Sequence, residues 1–261
     1  MADQNKEYLL GVDLGGTKIL TGVFDAKLDL KGTAKVSTKA GRGVDAVIGR
    51  IARCVKEAVD ECDLKLAQVR GLGVGAPGAV DTDTGRVIFA PNLPDWNDIP
   101  LQKALEKELD VPVFLGNDCN VCTLGVFEKE FKAKPKHLLG IFIGTGIGGG
   151  LILNGELFCG HNLTAGEIGH MVLEVNGPKC GCGNRGCLEA LASRRAIERA
   201  VKRAVKDGAR SSVKKLNKGR RGAIKSKGLR KALEREDPVV TAAVKDAAEA
   251  LGRACVSLRH I

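Results

Sequence analysis

Aromatic residues are scarce in this sequence: one Trp, one Tyr and seven Phe make up 3% of its 261 residues. Its core must be built from aliphatic side chains and alanine. A run long enough to span a membrane is missing as well. The longest uncharged apolar stretch, Leu138 to Leu153, holds six glycines and a threonine, whereas a spanning helix needs about 20 apolar residues in succession. Nothing ahead of Tyr8 resembles an export signal, because Met1 to Glu7 carry acid and no apolar run. No repeat of solenoid period is visible. What is present is a 44% share of hydrophobic residues, which excludes a disordered tail protein. Thirty-four glycines without a collagen period point to many tight turns and close backbone approaches. The length allows about two domains.

The net charge of +10 is unevenly placed. Between Arg194 and Arg235 there are 17 Lys and Arg against three acids, a local +14, so the remainder sums to −4. No aromatic residue lies in that segment, which removes the stacking platforms of single-strand binders. The segment reads as a solvated helical face with a mobile basic loop, and neither nucleic acid nor membrane is expected as a partner. Nine unevenly spaced cysteines without an export signal imply reduced thiols and a cytoplasmic protein.

Patterning gives an α/β chain. Tyr8–Val12, Ile19–Phe24 and Leu28–Val36 read as a meander. Val44 to Cys62 has apolar residues at helical spacing. Val69–Val74 reads as a buried strand ending in a loop, Gly75-Ala76-Pro77-Gly78, and Val111–Leu115 as another ending at Gly116-Asn117-Asp118. Strands are expected at His137–Ile143, Gly150–Leu153 and Met171–Val175, and helices at Glu189–Lys206 and Pro238–Leu258. A domain change is placed at Asp118, giving 1–117 and 118–261.

Two glycine-rich turns sit between strand-like runs: Asp13-Leu14-Gly15-Gly16-Thr17-Lys18, and Gly144-Thr145-Gly146-Ile147-Gly148-Gly149-Gly150. Glycines let backbone N–H groups approach a phosphate, and a Thr hydroxyl adds a donor. Asp13 can hold magnesium through water. Neither turn fits the P-loop or Rossmann pattern. Their recurrence in both halves is the pattern of the sugar kinase, Hsp70 and actin superfamily.

Cys180, Cys182 and Cys187 place three thiols within eight residues, with His170 ten residues upstream. Three thiolates and an imidazole complete a tetrahedral structural zinc site. Gly181, Gly183 and Gly186 permit the tight knuckle. A disulfide competes, but Cys180 and Cys182 are too close in sequence to pair easily, and one thiol would be left over. Cys54, Cys62, Cys119, Cys122, Cys159 and Cys255 are expected to be small buried apolar residues.

On these residues the chain resembles the ROK family of sugar kinases, and within it the glucokinase branch. The motifs carrying the resemblance are Asp13 to Lys18, Gly75 to Gly78, Pro91-Asn-Leu-Pro-Asp-Trp96, Asn117-Asp-Cys-Asn120, Gly144 to Gly150, Glu167-Ile-Gly-His170 and the knuckle ending in Leu188-Glu189. The resemblance implies two ribonuclease-H-like (actin/Hsp70/hexokinase-like) α/β domains with an intervening cleft. It also implies transfer of the ATP γ-phosphoryl group to the 6-hydroxyl of glucose. Asp118 would be the general base, and Asn117, Asp118, Glu167, His170 and Glu189 would bind sugar hydroxyls. Asp13, Gly15, Gly16, Thr17, Lys18, Gly144, Thr145 and Gly146 would hold ATP with magnesium. One ring nitrogen of His170 would ligate zinc and leave the other to the sugar. Another hexose or N-acetylhexosamine as substrate, polyphosphate as donor, or a sugar-binding regulator are the alternatives within the family. A homo-oligomer, as a dimer, is carried over from the family.

The chain also departs from that pattern. Val126 stands where the family usually has Glu. Family members continue past the position of Ile261 through a strand and a Gly-Gly adenosine loop to a closing helix on the small domain. The second domain is therefore expected to be incomplete at its C-terminal end.

Overall fold

The computed structural model describes residues 7–213 and 224–260. Tyr8–Leu14 (β1), Lys18–Phe24 (β2) and Leu30–Ser37 (β3) form the antiparallel meander. Val69–Ala76 (β4) and Val113–Asn117 (β8) add in parallel, giving a five-stranded sheet of order β3-β2-β1-β4-β8. Parallel neighbours require crossovers. The first contains Val44–Asp60 (α1). The second contains a small antiparallel sheet of Ala79–Asp81 (β5), Arg86–Phe89 (β6) and Asn97–Ile99 (β7), then Leu101–Leu109 (α2).

The helical spacing in α1 has a packing outcome: Val47, Ile48, Ile51, Ala52, Cys54, Val55, Ala58 and Val59 are all buried, against β1, β2, β3 and α2. Leu101, Leu105 and Leu109 do the same from α2 at every fourth position. Each such buried side chain contributes about 1.5–3 kcal/mol of transfer free energy. Along β1 the period of two turns Leu10, Val12 and Leu14 toward this core, leaving Gly11 and Asp13 on the opposite face. That face carries Phe114, Leu20 and Leu30 exposed. It borders a cavity of about 650 Å³ lined in part by Gly11, Asp13, Gly73, Phe114 and Asn117.

Asp118–Lys129 (α3) follows, then Leu138–Ile143 (β9), Ile147–Leu153 (β10) and Glu156–Phe158 (β11) in a sheet of order β11-β10-β9. Four helices complete the described chain: Leu188–Ala192 (α4), Arg194–Lys206 (α5), Ser226–Leu233 (α6) and Pro238–Leu258 (α7). Val240, Ala243, Ala247, Ala250, Ala254 and Leu258 form the buried stripe of α7, and α7 packs on α4, α5 and α6. Small side chains at such contacts let helix axes approach closely. The chain packs as two compact units, Met1–Gly140 with Gly150–Ala165, and Ile141–Gly149 with Gly166–Ile261. Among the described residues no helix is long and apolar enough to cross a membrane.

Four expectations need correction. Met171–Val175 is not a strand and makes only the single bridge Val172–Cys187. Its backbone groups are taken up by the knuckle instead, since Leu173 and Glu174 N–H both donate to Gly186 O and Leu188 N–H donates to Met171 O. Gly75-Ala76 is not loop, because pairing with Gly116 and Asn117 extends β4 through it. The single helix over Glu189–Lys206 is two helices, broken at Ser193, whose Oγ caps α5 by accepting from Ala196 N–H. Of the six cysteines outside the knuckle only Cys54 is buried. Cys62, Cys119 and Cys159 are half-buried, and Cys122 and Cys255 are exposed. In α3 the reason is helical phase: Asn120, Thr123 and Phe127 turn inward and leave Cys122 outside. The basic face of α5 is solvated as expected. The basic loop falls on 214–223, outside the described residues.

Candidate functional site

Asp13 and Asp118 lie at the same ends of parallel strands, β1 and β8, with β4 between them. Ligand-binding groups of α/β sheets collect at such ends. Two glycines bring α3 down onto the strands: a Cβ on Gly75 would lie 2.9 Å from Val121 Cγ2, and one on Gly116 only 2.5 Å from Val121 Cγ1. The N-cap of α3 is Asn117, whose Oδ1 accepts from Cys119 and Asn120 N–H at 3.0 and 3.1 Å. Its Nδ2 donates to Gly78 O at 2.9 Å, tying β8 to the turn after β4. Asp118 is therefore relieved of the main capping task. Its carboxylate accepts from Cys119 N–H at 2.8 Å.

Both carboxyls ionise less readily than usual. Burial raises the pKa of Asp118, against the opposing pull of hydrogen bonds from Cys119 and Asn117. Desolvation at the strand end raises Asp13, and the charge of Asp118 adds to it. By accessible area Asp13 remains exposed, so the raising reflects crowding of its carboxyl group rather than enclosure. Paired carboxyls of raised pKa are a recurrent mark of functional sites.

The first glycine turn is held by residues that sequence spacing does not single out. Thr38, fully buried, donates from Oγ1 to Gly15 O at 2.6 Å and from N–H to Thr17 O at 3.0 Å. On the other side a Cβ on Gly16 would lie 2.9 Å from Asn92 O, so the Pro91–Trp96 segment abuts the turn. Trp96 itself is core. Thr17 and Lys18 remain exposed. Thr38 was missed because a lone Thr at a strand end carries no local signal; only the fold brings it to the turn.

The second compact unit gathers Gly144, Thr145, Gly146, Glu167, His170 and Glu189. Gly144 N–H donates to Gly146 O at 2.9 Å, closing a tight turn. Glu189, in the first turn of α4, accepts from Ile147 N–H at 3.0 Å. A Cβ on Gly146 would come within 2.1 Å of the same carboxylate, and one on Gly169 within 2.0 Å of Ile147 O. Glycine at 146 and 169 is thus required for this turn, Glu189 and the Glu167–His170 segment to pack together. Glu167 and Thr145 are exposed.

His170, Cys180, Cys182 and Cys187 place one ligand atom each within 4.8 Å of one another. Cys182 Sγ lies 3.7 Å from Cys187 Sγ, and Cys180 Sγ lies 3.7 Å from His170 Nδ1. Ligands about 2.3 Å from a tetrahedral zinc ion stand about 3.8 Å apart, so the four residues fit that ion. Gly183 and Gly186 adopt φ of +98° and +69° to make the knuckle, whereas Gly181 has open space around it and needs no such freedom. Burial, with the neighbouring thiols, pushes Cys187 up to about 12. Nε2 of His170 lies 3.9 Å from Glu167 Oε2.

The chain is similar to proteins already known. The glucokinase of Thermotoga maritima is 43% identical over 196 residues, covering 74% of this chain and 59% of that protein. The putative xylose repressor of a Caldicellulosiruptor species is 33% identical over 197 residues, covering 75% of this chain and 49% of that protein. A crystal structure of a ROK family glucokinase from Streptomyces griseus, in complex with glucose and AMPPNP, superposes with a TM-score of 0.83 at 32% identity, covering 96% of this chain and 78% of that one. The mixed α/β architecture is that of the two-domain actin/Hsp70/hexokinase-like fold. Residues 9–261 match the ROK family, and the chain belongs to it.

Proposed function

We propose that this chain carries the chemistry of a glucokinase: transfer of the ATP γ-phosphoryl group to the 6-hydroxyl of D-glucose, giving glucose 6-phosphate and ADP. The observation that carries the reading is the state of Asp118. It stands at the start of a helix whose capping is done by Asn117, with a carboxyl raised by burial beside Asp13. A carboxylate so placed accepts the hydroxyl proton as the bond to phosphorus forms, and a raised pKa brings it nearer the working pH. Phosphoryl transfer otherwise demands positioning and charge neutralisation. We assign the first task to Asn117, Asp118, Glu167, His170 and Glu189 on sugar hydroxyls. The second falls to the backbone N–H groups of Gly15, Gly16, Gly144 and Gly146, with Thr17, Lys18 and Thr145. Magnesium bound with the nucleotide would neutralise phosphate charge, Asp13 offering the oxygen ligand that hard cations prefer.

The reading includes 1–117 and 118–261 as the functional domains and a cytoplasmic homodimer. It includes structural zinc on His170, Cys180, Cys182 and Cys187, with Nδ1 as the nitrogen turned to the metal. Fixing that ring also fixes the Glu167 and Glu189 segments. Cys182→Ser is expected to lower both the thermal midpoint and the affinity for glucose; unchanged glucose binding by a chelated, still folded protein would sink the linkage.

Assay with magnesium, ATP and glucose, with Asp118→Asn in parallel, tests the whole. Turnover lost in the variant supports the kinase and its base. Equal turnover refutes Asp118 as the base. Glucose bound without turnover by either favours a sugar-binding regulator, the reading kept open by the repressor relative.

A further inference from the structure

The helix that begins with Asp118 carries two thiols that the kinase reading leaves unused. Cys119 and Cys122 make a Cys-x-x-Cys pair in the first turns of α3, directly after β8. At the start of a helix in a β-α-β unit, such a pair is the arrangement of dithiol–disulfide chemistry. A pair of purely packing residues would be buried, whereas Cys119 is half-buried and Cys122 is exposed. The inward positions of α3 are taken by Asn120, Thr123 and Phe127.

Both thiols bear on Asp118. The Cys119 side chain donates to its carboxyl, and that bond is among those pulling the carboxyl down against burial. Burial and then the charges of Asp13 and Asp118 push the Cys122 thiol up. A thiolate there is opposed by two carboxylates, whereas a disulfide carries no charge for them to oppose. A dithiol whose thiolate is not stabilised favours the disulfide. Residues three apart on a helix are neighbours on one face, with Cβ atoms about 5–6 Å apart. A disulfide needs about 3.5–4.5 Å, so closing one draws the turn together by about 1–2 Å. A helix terminus can yield this much, because its first N–H groups lack partners in the helix ladder. Here Asn117 Oδ1 holds those of Cys119 and Asn120 instead.

We propose that Cys119 and Cys122 are a redox pair whose disulfide form switches the Asp118 site off. The effect on turnover rests on Asp118 being the base; formation of the disulfide does not. The oxidant is a low-molecular-weight disulfide. The exposed Cys122 thiolate attacks it, its S–S bond breaks, and one small thiol leaves. Cys119 then attacks Sγ of Cys122, and its proton passes by way of the Asp118 carboxylate to the second small thiol as that leaves. Two protein thiols are oxidised to one disulfide, and one reagent disulfide is reduced to two thiols. The product takes the S–H donor away from Asp118 and tightens the turn that aims it.

The whole chain, equilibrated in glutathione buffers of graded redox poise, alkylated and digested with trypsin, tests the pair. Peptide 108–129 holds both thiols and no other cysteine. Both should escape alkylation together at oxidising poise and regain it with dithiothreitol. Turnover of the oxidised parent should fall about 10²-fold, as for a misplacement of about 1 Å, and return on reduction. Cys122→Ser should keep parent turnover before and after oxidation. Carbon-13 titration of the Asp118 carboxyl reads the same switch without any turnover. The oxidised parent should titrate at higher pH than the reduced one, since the Cys119 bond that lowers it is gone. Failure of the kinase assay thus leaves the mapping and the titration to decide. The proposal is overturned if peptide 108–129 stays fully alkylated at every poise. It is equally overturned if Cys119 or Cys122 is found joined to Cys159 or to glutathione. An Asp118 titration that oxidation leaves in place, or equal inactivation of Cys122→Ser and the parent, would also overturn it.

Discussion

Two aspartates stand at helix starts in the two compact units, and their environments are opposite. Asp237, at the head of α7, is 4% exposed. Its Oδ1 accepts from Val239 and Val240 N–H, and its Oδ2 from Ser211 Oγ, Ser212 N–H and Ser212 Oγ. Burial opposes its ionisation, but those bonds win and hold its carboxyl below the ordinary range. Asp118, at the head of α3, has its capping role taken by Asn117. Burial wins there, and its carboxyl is raised. A carboxylate whose hydrogen bonds outweigh burial holds a scaffold together; one whose burial outweighs its hydrogen bonds is readier to take up a proton. Pro238 at the first position of α7 completes the structural version.

The comparison is broken most forcefully by exchanging acid for amide. Asp118→Asn should lower turnover by about 10²–10⁴-fold, roughly 3–5 kcal/mol of barrier, with no loss of thermal midpoint. If turnover survives, the raised carboxyl is not the base. Asp237→Ala should do the reverse. Loss of the cap and of the partner to two serines should cost about 2–3 kcal/mol of stability, read by denaturant titration, while the Michaelis constant for glucose stays put. Smaller is Asn117→Ala, expected to cost about 1 kcal/mol as a lost cap. It should also move the acid limb of the rate profile to higher pH, because the Asn117 side chain is one of the hydrogen bonds that pull the Asp118 carboxyl down.

The smallest effect is the pH dependence of stability, and its sign separates the two residues. Asp237 has a depressed folded pKa, so its contribution is present above the ordinary aspartate value near 3.8 and is lost as pH falls through the lower folded one. Asp118 has a raised folded pKa. Its ionisation therefore costs folding free energy above that value, and the cost vanishes toward acid. Asp118→Asn should accordingly be slightly more stable than the parent near neutral pH, with the difference closing as pH drops. Denaturant midpoints across an acid series check both.

Legibility followed locality. The meander, α1 and the whole of α7 were readable because each declares itself by a period of 2 or 3.6 within one segment. The break at Ser193 was not, since α4 and α5 are both apolar-periodic and only the folded chain shows Ser193 Oγ capping α5 and Arg194 N–H bonding to Gly144 O. The small sheet β5-β6-β7 and α2 went unread, their strands of three or four residues being too short for a period to show.

The site divides in the same way. By sequence alone, four residues of matching chemistry and spacing define a candidate metal cluster, and two glycine turns define candidate phosphate loops. The reason is that thiols and glycines have few other uses in such density. Only the tertiary structure decided that Thr38 and Asn92 flank the first turn, that Glu189 anchors the second, and that Asn117 caps α3 while burial raises the carboxyl of Asp118. Those outcomes depend on burial and on which distant donor reaches which acceptor. For Asp118, pairing across β1, β4 and β8 sets the surroundings, and no local run of residues encodes them.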